Sequence, residues 1–335
     1  MDLHDALFWT AENNHVDCHL CPNNCKLKDG QTGPCNTRIN KENKLYTLAY
    51  NNPSAIQVDP VEKKPLYHFM PGHSTFSLAT NGCILHCVQC QNSSISQCEP
   101  TQKSSEAYSP EAIIKLAKKH HCESISLTYT DPIAFFEYSY DICREAQQND
   151  IPVTLISSGY INPEPLKLIS PLISAANIDI KSFNENSYKL FFKGKLAPVL
   201  DSVLYLKKQN IWLEITVLLI PGINDSSKEI TALCEWMDQN SLNDVPLHFS
   251  RFHPSHKLLS KSLTPLTSLE AAKSIAQEHH IIYCYIGNAE NKDYHSTHCP
   301  NCGKVLIERH RLSLSYIYMQ NGKCPECQTH IAGIW

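Results

Sequence analysis

The sequence predicts an α/β fold in which a curved, parallel sheet carries helices outside and a polar cavity inside. Two observations predict it. Strand-like and helix-like segments alternate through residues 75–287, the pattern of βαβ units. Several of those strands also carry a polar side chain at every second position, whereas a strand buried on both faces would be apolar throughout. Asn177, Asp179 and Lys181 share one face while Ile178 and Ile180 take the other. Trp212, Glu214 and Thr216 oppose Leu213, Ile215 and Val217. Ser124, Ser126, Thr128 and Thr130 oppose Ile125, Leu127 and Tyr129. A closed or nearly closed sheet explains two unlike faces better than a flat doubly wound one.

In chain order, the predicted strands are 75–79, 124–130, 152–158, 175–181, 211–219, 245–251 and 281–286. The predicted helices are 110–121, 132–149, 163–169, 198–209, 226–240 and 267–279. Proline opens four of the helices, as suits a first helical turn. Residues before 75 show no such repeat. They read as a loop-rich segment (18–40) and a polar, aromatic connector (59–72). The expected division is an N-terminal Cys-rich metal-binding module at 1–60, a barrel at 61–290 and a ribbon-like module at 291–335.

Composition narrows the function. Of 335 residues, 42% are hydrophobic and 19% charged, enough for a sizeable core and against wholesale disorder. A net charge of -4 argues against a nucleic-acid surface. No run of 18 apolar residues offers a membrane span. Residues 1–15 carry Asp2, Asp5 and Glu12 but no lysine or arginine, unlike a signal peptide. A cytoplasmic protein is therefore expected, and its 16 cysteines call for an explanation other than disulfides.

Spacing supplies one. Random placement would yield roughly 0.8 C-x-x-C pairs, yet the chain has four, within three groups. Cys299, Cys302, Cys324 and Cys327 form two knuckles, the ligand pattern of a structural zinc site whose charge Lys304, Arg309, Arg311 and Lys323 could offset. Cys18, Cys21, Cys25 and Cys35 form a second quartet. Zinc is its favoured occupant, because four local thiolates make a closed site, and a second iron–sulfur cluster is the alternative. Cys98, Cys122, Cys143, Cys234 and Cys284 are isolated and read as buried small hydrophobes.

The third group is one ligand short. Cys83, Cys87 and Cys90 follow a predicted strand in the loop Gly82-Cys83-Ile84-Leu85-His86-Cys87-Val88-Gln89-Cys90. Three thiolates on a [4Fe-4S] cluster leave one iron free for a substrate or cofactor. This loop resembles the cluster loop of radical S-adenosylmethionine (SAM) enzymes.

The resemblance covers almost the whole chain. It is closest to the radical SAM member of the AmmeMemoRadiSam system, in the group that includes pyruvate formate-lyase activating enzymes. Matching segments include Cys18-His19-Leu20-Cys21-Pro22, Glu62-Lys63-Lys64-Pro65-Leu66-Tyr67-His68-Phe69, Ile220-Pro221-Gly222-Ile223-Asn224-Asp225, Ser250-Arg251-Phe252-His253-Pro254 and Gly333-Ile334-Trp335. It implies a partial (β/α)6 radical SAM barrel. It also implies an oxidoreductase or transferase-type enzyme that cleaves SAM to a 5′-deoxyadenosyl radical, which takes hydrogen from a substrate. Its implied SAM contacts are Gln89, Tyr129, Thr130, Asp131, Ser157, Ser158, Gly159, Asp179, Lys181, Arg251 and His253. Gln89 stands where an aromatic residue is common, so a backbone role is expected there without stacking.

Implied partners are an electron donor such as flavodoxin or ferredoxin, Memo-type and AMME-type proteins of the same system, and a protein or peptide as one candidate substrate. The competing readings are a glycyl-radical enzyme activase and, outside enzymes, a zinc-rich binding or scaffold protein.

Overall fold

The computed structural model describes residues 3–100 and 105–335; Asp2, noted above for its charge, lies outside them. An eight-stranded sheet organises the chain. In chain order its elements are β1 (Pro53–Pro60), β2 (Ser74–Thr80), α1 (Pro110–Lys119), β3 (Ser124–Leu127), α2 (Phe136–Gln148), β4 (Val153–Ser157), α3 (Pro163–Ile169), β5 (Ala175–Asp179), α4 (Ala197–Lys208), β6 (Trp212–Leu219), α5 (Ser227–Gln239), β7 (Leu247–Arg251), α6 (Leu266–Glu278) and β8 (Cys284–Gly287). Strands β2 to β8 pair in sequence order, all parallel, and β1 adds an antiparallel edge. No pairing joins β1 to β8 among the described residues, so this β/α barrel stays open on one side.

Local chemistry starts the helices where the sequence placed them. Ser109 and Ser226 accept hydrogen bonds from Ala112 N–H and Glu229 N–H at the starts of α1 and α5, satisfying otherwise orphaned first-turn donors. In α1, Ile113, Ile114 and Ala117 recur at helical spacing and are buried. The strand partners of such faces are Ile125, Leu127, Ile178, Ile215, Leu247 and Phe249, all buried in the same core.

Two segments and one strand face depart from expectation. The strand expected at 124–130 leaves the sheet after Leu127, and Tyr129 takes a left-handed φ of 63° that no strand accommodates. The helix expected at 132–149 begins as a 3-10 turn, Pro132–Phe135, before α2. Ser124 and Ser126 do not face a cavity. Thr75, Ser126 and Thr154 hydroxyls bond one another across three strands, each at 2.7 Å, and His73 Nε2 meets Ser124 Oγ at 2.7 Å.

The N-terminal segment, where no repeat was legible, holds two three-stranded antiparallel sheets. Strand β1 pairs along its length with β2. At the other end, Thr297–His298, Val305–His310 and Ser313–Ile317 form a small antiparallel sheet. Its Arg309 is fully buried and bonds Tyr67 O, Thr297 Oγ1 and Glu62. It therefore clamps the ribbon to the barrel and does not offset thiolate charge. Arg311 pairs with Glu290 and Lys304 with Glu326. Of the five isolated cysteines, four are buried and Cys98, just after the short helix Ser93–Ser96, is exposed. No helix among the described residues is long and apolar enough to cross a membrane.

Candidate active site

Strand C-terminal ends converge on a cavity of about 940 Å³, near the upper limit for small-molecule sites. Barrel enzymes place chemistry at this end because strand-end loops can vary without disturbing the sheet. Cys83, Cys87 and Cys90 line the cavity from the loop after β2. This loop is braced by Phe191 O and Phe192 O, which accept from Val88 N–H (3.0 Å) and His86 N–H (3.2 Å). Burial pushes the Cys87 thiol up to about 12, partly offset by Lys181, and pushes Cys83 up as well.

Most residues predicted for this site line it: Gln89, Tyr129, Thr130, Asp131, Ser157, Ser158, Asp179, Lys181, Arg251 and His253. Gly159 does not. Its φ of 67° turns it against the core, where an added Cβ would lie 3.1 Å from Ile178 Cγ2, and its N–H bonds Ser157 Oγ at 3.0 Å. Asp131 is more committed than an acceptor awaiting a ligand would be. Oδ1 accepts from Ser157 Oγ (2.9 Å) and Ile133 N–H (3.1 Å), and Oδ2 from Ser158 N–H (2.9 Å) and Ser158 Oγ (2.5 Å). It ties the turn after β3 to the turn after β4. Tyr129 bonds Asp59 and lies beneath Lys64 Nζ, 4.3 Å from its ring centre.

Asp179 and Lys181 form an ion pair at 2.8 Å. Burial would lower the lysine, but Asp179 and Cys87 raise it, so it stays charged. Gln89 is buried, its carbonyl accepts from Ser255 Oγ at 2.7 Å, and its side-chain Oε1 has no partner. Arg251 Nε donates to Thr264 O at 2.7 Å.

Sequence reasoning missed several wall residues. Thr128 and Thr216 belong to the polar strand faces already identified, so the period-two signal was there to extend, and Ser250 joins them from β7. Lys63 and Lys64 had no such signal. They enter the wall through their pairing with Asp59, at 2.7 and 2.6 Å. Burial lowers Lys64 to about 8 despite Asp59. Glu290, Arg311 and Leu312 close one side from the C-terminal region, a contribution no local pattern announces.

The two quartets are also brought together. Cys299 and Cys327 sulfurs lie 3.5 Å apart, Cys302 and Cys324 3.6 Å, and all four gather within 4.8 Å. Gly303 (φ 75°) and Gln328 (φ 61°) turn the two knuckles alike. Cys18, Cys21, Cys25 and Cys35 line a separate small cavity.

Comparison with known proteins agrees with this geometry. Residues 77–234 match the Radical SAM superfamily family model. An uncharacterized Methanocaldococcus jannaschii protein is 38% identical over 328 residues, 97% of this chain and 98% of that one. The 4-hydroxyphenylacetate decarboxylase activating enzyme of Clostridium scatologenes is 26% identical over 176 residues, 50% of this chain and 54% of its own. The solved structure of Streptococcus suis SuiB bound to S-adenosylmethionine aligns with a TM-score of 0.49 at 12% identity, over 68% of this chain and 53% of that one.

A radical SAM domain implies a [4Fe-4S] cluster and SAM, and the residues present suit both. Three thiols on one loop suit a cluster that keeps one iron free of protein ligands. Beside them, the orphaned Gln89 Oε1 and the polar wall suit a ligand rich in hydrogen-bonding groups. On its cluster loop, its open β/α barrel and its sequence match over residues 77–234, this chain carries a radical SAM superfamily domain.

Proposed function

We propose that this chain is a cytoplasmic radical SAM enzyme of the AmmeMemoRadiSam type, acting on a substrate held in the barrel cavity. The observation that carries the reading is the placement of Cys83, Cys87 and Cys90 on one loop at the wall of the cavity that Asp179 and Lys181 also line, with Lys181 near enough for its charge to act on Cys87. A [4Fe-4S] cluster held by those thiolates, with SAM, supplies one-electron cleavage of the sulfonium to methionine and a hydrogen-abstracting 5′-deoxyadenosyl radical. The chain's own residues bind, orient and exclude water. Lys181 and Lys64 present cationic heads to a carboxylate, and the Asp179 carboxylate accepts from hydroxyls or an ammonium. The Gln89 amide is free to bond a heterocycle edge, replacing the stacking an aromatic residue would offer. Asp131 positions the Ser157–Ser158 turn. The C-terminal quartet is assigned a structural zinc, because its sulfur spacing suits a tetrahedral ion with Zn–S near ~2.3 Å.

A low-potential carrier of the flavodoxin or ferredoxin type is the proposed electron source, and Memo-type and AMME-type proteins are the proposed companions. To test the function, the protein is loaded anaerobically with iron and sulfide, reduced with dithionite and given SAM, and 5′-deoxyadenosine is measured. Product well above a Cys87→Ala control is expected. Product equal to the control, with cluster loading verified, would refute the reading. The partial similarity to a glycyl-radical activating enzyme supports a second reading, in which the substrate is a protein backbone. A glycyl radical seen by electron paramagnetic resonance (EPR) on a mixed partner protein would select it.

A further inference from the structure

The N-terminal quartet differs from the C-terminal one in the feature that separates a single ion from a cluster. Four thiolates on one zinc at ~2.3 Å place their sulfurs roughly 3.8 Å apart, as the C-terminal sulfurs nearly are. Thiolates at the corners of a [4Fe-4S] cube stand roughly 6 to 7 Å apart, because iron and sulfide fill the centre. No three of the Cys18, Cys21, Cys25 and Cys35 sulfurs gather within 4.8 Å of one another, although the C-terminal four do. A cavity of about 20 Å³ lies among them, above the ~10–15 Å³ that admits a water, and it is the sulfur separation, not this volume, that distinguishes the two quartets.

The wall of that cavity is equipped for an anionic sulfur-rich guest. Arg38 lines it and is 1% exposed; its charge is paired with buried Glu137 and its Nη1 donates to Leu7 O at 2.8 Å, which leaves Nε buried without a partner. Its Nη1 donates to Cys18 Sγ at 3.5 Å, and Thr37 Oγ1 donates to Cys35 Sγ at 3.2 Å. Donors of this kind stabilise cluster thiolates. Leu20, Leu27 and Ile84 supply the rest of an apolar lining.

The cavity also abuts the active-site loop. Cys83 N–H donates to Cys35 O at 3.1 Å, so one hydrogen bond joins a ligand residue of each site. Asn23 Nδ2 donates to Ile84 O at 3.1 Å.

We propose that Cys18, Cys21, Cys25 and Cys35 bind a second [4Fe-4S] cluster, which exchanges single electrons with the Cys83, Cys87 and Cys90 site. One electron enters from a low-potential flavin or iron–sulfur carrier and leaves toward the active site; no bond is made or broken in the transfer. The relay role rests on the function proposed above, whereas the metal content does not.

The test is metal analysis and EPR of the full chain after anaerobic loading with iron and sulfide. Wild type is expected to hold about eight iron and one zinc per chain. The Cys83→Ala/Cys87→Ala/Cys90→Ala variant should keep about four iron and show a reduced-cluster signal that SAM does not perturb. The Cys21→Ser/Cys25→Ser variant should keep about four iron with a signal that SAM does perturb. Reduced wild type should show spin–spin broadening that each variant loses. About four iron with two zinc in wild type, and no iron in the triple variant, would overturn the cluster; so would a quartet holding neither metal. The wild-type iron count decides alone where a variant fails to fold. Eight iron without broadening would overturn the relay. Eight iron without SAM cleavage would refute the proposed function and leave the second cluster standing.

Discussion

Gln89 shows how a single side chain can advertise a ligand. Its neighbours in the loop are thiols, its carbonyl is held by Ser255, and its Oε1 is buried with no partner. A buried unpaired acceptor costs about 1–3 kcal/mol, so it persists where a ligand satisfies it. Gln89→Leu is expected to weaken SAM binding about tenfold, the loss of one hydrogen bond, with iron content unchanged. Titration calorimetry on the loaded protein measures it, and an unaltered Kd would place the amide outside the binding surface. Asp131 carries the opposite lesson. Its four bonds to the Ser157–Ser158 turn and Ile133 make it a positioning residue, a role its sequence context did not distinguish from direct ligand binding.

At the scale of elements, the junction between the N-terminal module and the cluster loop depends on one glycine. Gly82 has φ 93°, and an added Cβ would stand 2.4 Å from both Cys35 O and Thr37 Cγ2. Gly82→Ala would combine a left-handed backbone with overpacking, which costs more than ~2 kcal/mol. It is expected to lower iron content at both clusters and the denaturation midpoint together. Gly30→Ala is the matched control: φ is 73° but nothing lies within 4 Å of its Cβ, so only the backbone cost of about 1 kcal/mol applies. Equal losses in the two variants would show that contact with Cys35 is unimportant. The alternation of strands and helices was readable because each element buries one face. The return of Thr128 to Thr130 from strand to loop was not, because Tyr129 leaves the sheet to meet Asp59 and Lys64 from a distant segment.

At the scale of the molecule, Arg309 and His68 join the C-terminal region to the barrel. Arg309 and Glu62 are both fully buried, 3.4 Å apart. Arg309→Met would leave Glu62 uncompensated, at a cost of about 3–5 kcal/mol, and should lower thermal stability more than Lys304→Met, whose partner Glu326 is exposed. Comparable shifts would refute the clamp. His68 Nδ1 faces Ala332 O at 2.7 Å and Nε2 faces Tyr285 OH at 2.5 Å. Burial lowers it to about 4, outweighing the attraction of Glu214, while Arg309 and His248 lower it further. The unfolded chain therefore takes up a proton near pH 6.5, before the folded one does. Stability from this group is full above pH 6.5 and falls as pH drops toward 4, by up to about 3 kcal/mol. Melting curves from pH 7 to 4 should show a shallower decline in His68→Gln; parallel curves would exclude this histidine.

Local regularities were sufficient for much of this protein. Period-two alternation exposed the polar strand faces, proline and serine marked helix starts, and cysteine spacing separated an incomplete three-thiol loop from two complete quartets. These signals lie within a few residues of one another, where chain geometry alone dictates who can meet. The meaning of Asp131, the seating of Arg309 under Tyr67, the entry of Lys63 and Lys64 into the cavity wall and the spread of the N-terminal sulfurs lay beyond that reach. Each depends on contacts between segments far apart in the chain, and spacing along a chain does not specify distance across a fold. Two quartets of the same residue can therefore gather their sulfurs at different separations.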